Sequence, residues 1–141
     1  MDTFVFSYET RIQASMKQVW DFFSDPTNLE AVQSFPKVSV QVKEEEEVNV
    51  RIHLLLFRIQ WSSVITDVRA PYFFTDEAKK PPFPFSYWKH THRFRREGEE
   101  IVLTDEIAFR SKLPARLIER GLKTMFKARK TQIQRLFDDE K

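Results

Sequence analysis

Trp88, His90, His92 and Phe94 occupy alternate positions in a stretch of period-two hydrophobicity, so on an extended strand all four project to one face. Ile101, Leu103, Asp105, Ile107 and Phe109 repeat the alternation on the next strand, an inward set with one carboxylate in its middle. With Glu97-Gly98 as a two-residue hairpin turn, Arg96 stands opposite Glu99. Counting back then brings Phe94 opposite Ile101, His92 opposite Leu103 and His90 opposite Asp105. A histidine and a carboxylate are thus expected to meet inside an apolar enclosure, and a bulged turn would shift that pairing.

Several chemistries fit His90, His92 and Asp105. A buried carboxylate can accept from an imidazole so that neither desolvated group stands alone. The same groups can anchor a ligand held by aromatic walls. H-x-H on a strand also places two imidazoles on one side with Asp105 as a third metal ligand. That ligand count is thin and no further histidine is in phase, so neither a metal nor another cofactor is expected. Acid-base catalysis is open to the trio, because a histidine near a carboxylate can titrate near neutral pH, but no residue is marked as a nucleophile and no catalytic role is assigned.

The element that must close over these strands is the stretch from Lys112 to Phe137. Ile118, Leu122, Met125, Phe126, Arg129, Ile133, Leu136 and Phe137 follow the three-and-four spacing of one helical face, and Arg129 is the single polar member. Leu113 and Leu117 extend the stripe back a turn, and Pro114 suits a first helical turn. Gly121, costly inside a helix, is expected where a neighbour comes close or room is needed beside the helix. About 25 residues at a rise of 1.5 Å make a rod of roughly 37 Å, which needs a sheet to lie in.

Ahead of it, Phe4, Phe6, Tyr8 and Ile12 alternate with polar residues as a half-buried strand. Ser15 with Gln18 makes a capping box for a helix carrying Met16, Val19, Trp20 and Phe23. Asp25-Pro26 starts a second short helix through about Gln33, before Pro36. Period two then holds from Lys37 to about Arg110: Val38 to Val42, a charged turn over Glu44 to Glu47, Val48 to Leu54, Ile59 to Ile65, a strand opened by Pro71 and running through Asp76, a proline-rich break over Lys79 to Pro84, and the two long strands. No glycine, proline or asparagine marks the turn between Leu54 and Trp61. The order is strand, two short helices, six more strands and a long helix. It implies an α+β fold, in which a curved seven-stranded antiparallel sheet wraps one face around the C-terminal helix, in a single domain over residues 1–141.

Composition narrows the function classes. With no cysteine among 141 residues there is no disulfide framework, thiolate nucleophile or cysteine-bound metal. The longest apolar run, Leu54 to Phe57, is too short to span a bilayer, and no signal pattern opens the chain, so a cytoplasmic protein without stable membrane insertion is expected. From Arg110 to Arg135 nine basic residues face one acid, a local charge of +8 against −4 over residues 1 to 109. That basic face is expected to be mainly solubilising rather than a nucleic-acid site. Fourteen phenylalanines beside two glycines ask for a dense core or an aromatic-lined cavity.

The stretch Phe74-Thr75-Asp76-Glu77 through Pro82-Phe83, the W-x-H-x-H-x-F run from Trp88 to Phe94, and Leu103-Thr104-Asp105 resemble a bacterial branch of the helix-grip superfamily of START and birch-pollen-allergen proteins, also called SRPBCC. The resemblance spans essentially the whole chain. Pro81 stands where similar sequences carry glycine, which implies a stiffer loop. Members bind lipids, hormones or other apolar small molecules, and some are polyketide aromatases or cyclases or co-chaperone modules. The expected function is therefore binding of a small apolar or amphipathic, lipid-like or polyketide-like ligand between sheet and helix. Candidate wall residues are Phe6, Tyr8, Trp61, Phe74, Trp88, His90, His92, Asp105, Leu122, Met125 and Phe126. The alternatives are a cyclase, dehydratase or isomerase using His90, His92 and Asp105, or an interaction module using the basic helix.

Overall fold

The computed structural model describes residues 2–32, 37–44, 47–53 and 58–139. Strand β1 (Phe4–Ile12) leads into α1 (Met16–Phe23), a 3-10 turn (Pro26–Asn28) and α2 (Leu29–Val32). Six strands follow, β2 (Lys37–Glu44), β3 (Glu47–His53), β4 (Arg58–Arg69), β5 (Phe73–Lys79), β6 (Phe85–Glu97) and β7 (Glu100–Ser111), and then α3 (Ala115–Asp139). The sheet is antiparallel in the order β1-β7-β6-β5-β4-β3-β2, curled around the long helix. Strands β1 and β2, adjacent in sequence, form its two edges, and the short helices carry the chain from one edge to the other.

Local chemistry accounts for the connector. The Ser15 hydroxyl accepts from the Gln18 amide N–H at 3.1 Å while the Gln18 side chain accepts from the Ser15 N–H at 2.9 Å, the reciprocal bonds of a capping box. Asp25 caps the next turn by accepting from the Thr27 N–H at 3.0 Å. Gln33 and Pro36, expected to end that helix, lie outside the described residues, as do Glu45 and Glu46 of the charged turn and Leu54 to Phe57 of the unmarked one. Lys80, at φ 47°, turns the chain out of β5 into the proline-rich loop.

Helix α3 buries Leu122, Phe126, Arg129, Ile133 and Phe137, a four-three-four-four spacing that holds one face on the sheet. Its start differs from the expected one. Pro114 accepts from the N–H groups of Leu117 and Ile118 and so stands just before the helix, and the buried stripe does not extend back, since Leu113 is 41 % and Leu117 53 % exposed. Gly121 is on the open side: a Cβ there would meet nothing within 4 Å, so no close approach explains it. Phe4 also lies further out than its phase suggested, 43 % exposed at the start of an edge strand, although its ring still reaches Phe109 at 6.1 Å.

The β6–β7 hairpin corrects the expected register. Glu97 pairs with Glu100, so the two turn residues are Gly98 and Glu99, one position later than the Glu97-Gly98 turn. Gly98 has φ 63° and Glu99 is not left-handed, which is the signature of a type II′ turn with glycine first. Phe94 then faces Leu103, His92 faces Asp105 and His90 faces Ile107.

Two apolar clusters fill the space between sheet and helix. Ile12, Val19, Phe74, Phe94, Ile101, Leu103, Ile133 and Phe137 gather at the α1 end, with Trp20 set edge-on against Phe74 and Phe94 at 5.8 and 5.6 Å. Phe6, Ile107, Phe109, Leu122 and Phe126 form the other, with Tyr8, Phe85, Trp88 and Met125 packed on it.

Candidate functional site

The polar residues sit between these clusters because β7 changes chemistry once along its inward face: Ile101 and Leu103 belong to one cluster, Ile107 and Phe109 to the other, and Asp105 stands between. The registers place Phe74, His92 and Asp105 in one row across β5, β6 and β7, and Asp76, His90 and Ile107 in the next. Strand alternation keeps all six on the concave face. Phe126 crosses over them from α3, its ring 6.0 Å from that of His90.

Diagonal contacts tie the two rows together. His90 Nε2 is 2.7 Å from Asp105 Oδ1, and His92 reaches Asp76 Oδ2 through Nε2 at 3.0 Å and Asp105 Oδ1 through Nδ1 at 3.4 Å. The two imidazoles stack with centroids 3.8 Å apart, and Phe74 stacks on the far side of His92 at 4.2 Å. Asp105 is 1 % exposed, and its Oδ2 has no hydrogen-bond partner among the described residues. Arg129 is buried above, its guanidinium 4.6 Å from the Phe126 ring centre.

The charge is divided unequally. Burial works against a proton on His92, but the bonds to Asp105 and Asp76 outweigh it and raise its pKa to about 9. Burial also disfavours the charged form of Asp105, yet the two histidines hold it below the ordinary carboxylate range. His90 is pushed down from 6.5, first by burial and then by charged His92 against its face. At neutral pH the group is an imidazolium between two carboxylates beside a neutral imidazole. The buried Arg129 guanidinium is pushed down by desolvation, opposed by Asp105 and Asp76.

Beside this wall lies a pocket of about 350 Å3. Its apolar lining comes from Phe22, Phe23, Trp61, Ile65, Phe74, Trp88, Leu103, Leu122, Met125 and Phe126, its polar lining from Asp76, His90, His92, Asp105 and Arg129 together with Ser24, Asp25, Asn28 and Ser63, and part of its rim from Pro81 to Phe85. Phe83 on that rim is 70 % exposed.

Of the wall residues expected from sequence, Trp61, Phe74, Trp88, His90, His92, Asp105, Leu122, Met125 and Phe126 line this pocket. Phe6 and Tyr8 do not; they stand behind it, their rings 5.8 and 5.7 Å from Phe126. Asp76 and Arg129 were missed as site residues. Both left a signal: Asp76 is an acid in phase with Phe74, and Arg129 is the polar member of the helix stripe.

Asp76, His90 and His92 each bring one ligand atom to within 4.8 Å of the others. One ion bound by both imidazoles must lie in both ring planes at roughly 2 Å from each nitrogen. The planes of rings whose centroids are 3.8 Å apart and which are inclined by only 22° do not meet at that range, so these rings would have to turn before sharing a metal.

The sequence matches no protein-family model and no curated protein. Solved structures do match over nearly the full length. An uncharacterised protein from Bacillus thuringiensis superposes with a TM-score of 0.79 at 13 % identity, covering 94 % of this chain and 98 % of that one. A START superfamily protein from Mycobacterium smegmatis gives 0.78 at 7 % identity, with 97 % and 99 % covered. The di-domain ARO/CYC protein BexL of the BE-7585A biosynthetic pathway gives 0.76 at 14 % identity, with 93 % of this chain on 45 % of that one. At such identities the likeness is one of architecture, and on that ground this chain has a START-like helix-grip fold.

Proposed function

We propose that residues 1–141 act as one domain that holds a small apolar or amphipathic molecule, lipid-like or polyketide-like, between the curved sheet and α3. The observation that carries this reading is the pocket of about 350 Å3, walled largely by aromatic and aliphatic side chains, with Asp76, His90, His92, Asp105 and Arg129 among its polar lining. At interior packing density that volume takes on the order of fifteen non-hydrogen atoms. The fold shared with the START superfamily protein and BexL supports a ligand-binding or cyclase-type role. Cysteine-free composition suits a cytoplasmic setting. Native mass spectrometry of freshly purified protein, followed by titration of apolar aromatic and fatty compounds read through Trp61 and Trp88 fluorescence, tests it. A co-purified mass or a saturable fluorescence change is the expected result. No binding by any compound would leave an interaction role for the basic helix.

A second reading is an isomerase, dehydratase or cyclase in which neutral His90 removes a proton. The contact of 2.7 Å between His90 and Asp105 favours it, since a carboxylate behind an imidazole fixes its tautomer and steadies the imidazolium that forms. Turnover of a bound compound, lost in His90→Phe, distinguishes this from binding alone.

A further inference from the structure

We infer that the pocket selects among apolar molecules by one feature, a hydroxyl group that donates a hydrogen bond to Nδ1 of His90. The inference deepens the ligand-binding reading and rests on it.

Nε2 of His90 lies 2.7 Å from a carboxylate oxygen of Asp105, so in the neutral ring the proton sits on Nε2 and Nδ1 keeps a bare lone pair. No protein group among the described residues bonds to that nitrogen. The side-chain atom that is both sealed off and unpartnered among them is Oδ2 of Asp105, so His90 Nδ1 is not fully sealed, and His90 lines the pocket. By the same reasoning Oδ1 of Asp76, whose Oδ2 is taken by His92, is not both sealed and unpartnered, and Asp76 lines the pocket too.

The histidine protons face carboxylates, while the Arg129 guanidinium of α3 also lies on the lining. His92 directs its Nε2–H to Asp76 and its Nδ1 lies 3.4 Å from Asp105 as an ion pair, so its charge is turned toward carboxylates. The sheet side of the wall therefore offers lone pairs. A ligand hydroxyl supplies what these acceptors lack, an ether of the same shape leaves them desolvated and unpaired, and a carboxylate meets Asp76 and Asp105. Sites built to bond a hydroxyl reject analogues lacking it more strongly than apolar pockets reject a change in shape.

The test uses three probes of one size, 2-naphthol, 2-methoxynaphthalene and 2-naphthoate, titrated against the intact protein at neutral pH by tryptophan fluorescence. The naphthol is expected to bind at least about tenfold tighter than the other two. His90→Phe should bring naphthol and methoxynaphthalene within about twofold of each other. Should that variant not fold, the 15N resonance of His90 Nδ1 in the native protein serves instead: it shifts on adding naphthol and stays put with methoxynaphthalene. Equal binding of the three, tightest binding of naphthoate, an unchanged hydroxyl preference in His90→Phe, or an unmoved His90 resonance would overturn this inference while leaving ligand binding intact. Binding of none of the three, nor of any compound in the wider panel, would overturn both.

Discussion

His90 and His92 lie face to face with ring centroids 3.8 Å apart, yet their proton affinities move in opposite directions. The cause is partner number. His92 has a carboxylate at each nitrogen, whereas His90 has one and faces the charge His92 already holds. Titration followed by histidine NMR is expected to show His92 holding its proton to about pH 9 and His90 losing its proton below the ordinary histidine range. Equal midpoints for the two rings would contradict the division of charge.

The same shifts fix how stability depends on pH. His92 binds its proton more tightly folded than unfolded, so its contribution is complete below 6.5 and fades as pH rises through about 9. At about 1.4 kcal/mol per pH unit the contribution is on the order of 3 kcal/mol. Asp105 and His90 are shifted down, so theirs are present above the unfolded values of 3.8 and 6.5 and are lost as pH falls below each. Urea midpoints should therefore decline on both sides of neutrality, and His92→Gln should remove most of the alkaline decline. An unaltered alkaline limb in that variant would place its origin elsewhere.

Asp76 gives a sharper test of the network. Asp76→Asn keeps the side chain's shape and an acceptor oxygen but removes one of the two charges that hold the proton on His92. The His92 midpoint should drop from about 9 by roughly one unit or more, while the His90–Asp105 contact persists. An unchanged midpoint would mean that Asp105 alone holds the proton.

The sequence carried the concave-face pattern because period two is written directly in residues such as Ile101, Leu103, Asp105, Ile107 and Phe109, and the buried core of α3 because Leu122, Phe126, Ile133 and Phe137 keep helical spacing. It misplaced the hairpin register through one ambiguity. Both Glu97-Gly98 and Gly98-Glu99 are two-residue turns containing glycine, and only the conformation of Gly98 chooses between them. The contact between His90 and Asp105 survived the shift because a diagonal neighbour is within reach of an imidazole. Asp76 was not singled out because its strand lacked a long alternating run. Leu113 and Leu117 fit the stripe's spacing, but Pro114 stops the helix from forming around Leu113 and leaves both at the open end.

Gly121 offers a stability change free of the site. A Cβ at this position meets nothing within 4 Å, so alanine adds no clash and removes the entropy penalty of a helical glycine. Gly121→Ala should raise stability by about 1 kcal/mol, or about 4 °C in melting temperature. Because α3 keeps its buried face, ligand affinity should be unchanged. A lower melting temperature would mean that the helix needs this glycine to bend or to meet a partner.

The outward face of β1, β7 and β6 poses the opposite question, whether ions or packing hold it. Arg11 pairs with Glu97 at 3.0 Å and Arg95 with Glu97 and Glu9 at 3.2 and 3.5 Å, all half-exposed. In register between the two arginines stands Val102, which is 0 % exposed, so the aliphatic stems of these neighbours shield it from water. Exposed pairs repay little of the entropy spent in fixing long side chains, whereas burying two methyl groups is a direct gain. Val102→Ala should therefore cost about 2 kcal/mol at any ionic strength. Arg95→Met, which removes the charge and keeps a stem, should leave the urea midpoint nearly unchanged and independent of salt. If Arg95→Met proved as damaging as Val102→Ala, and added salt weakened the native protein to match, the ion pairs rather than the covered valine would hold this face.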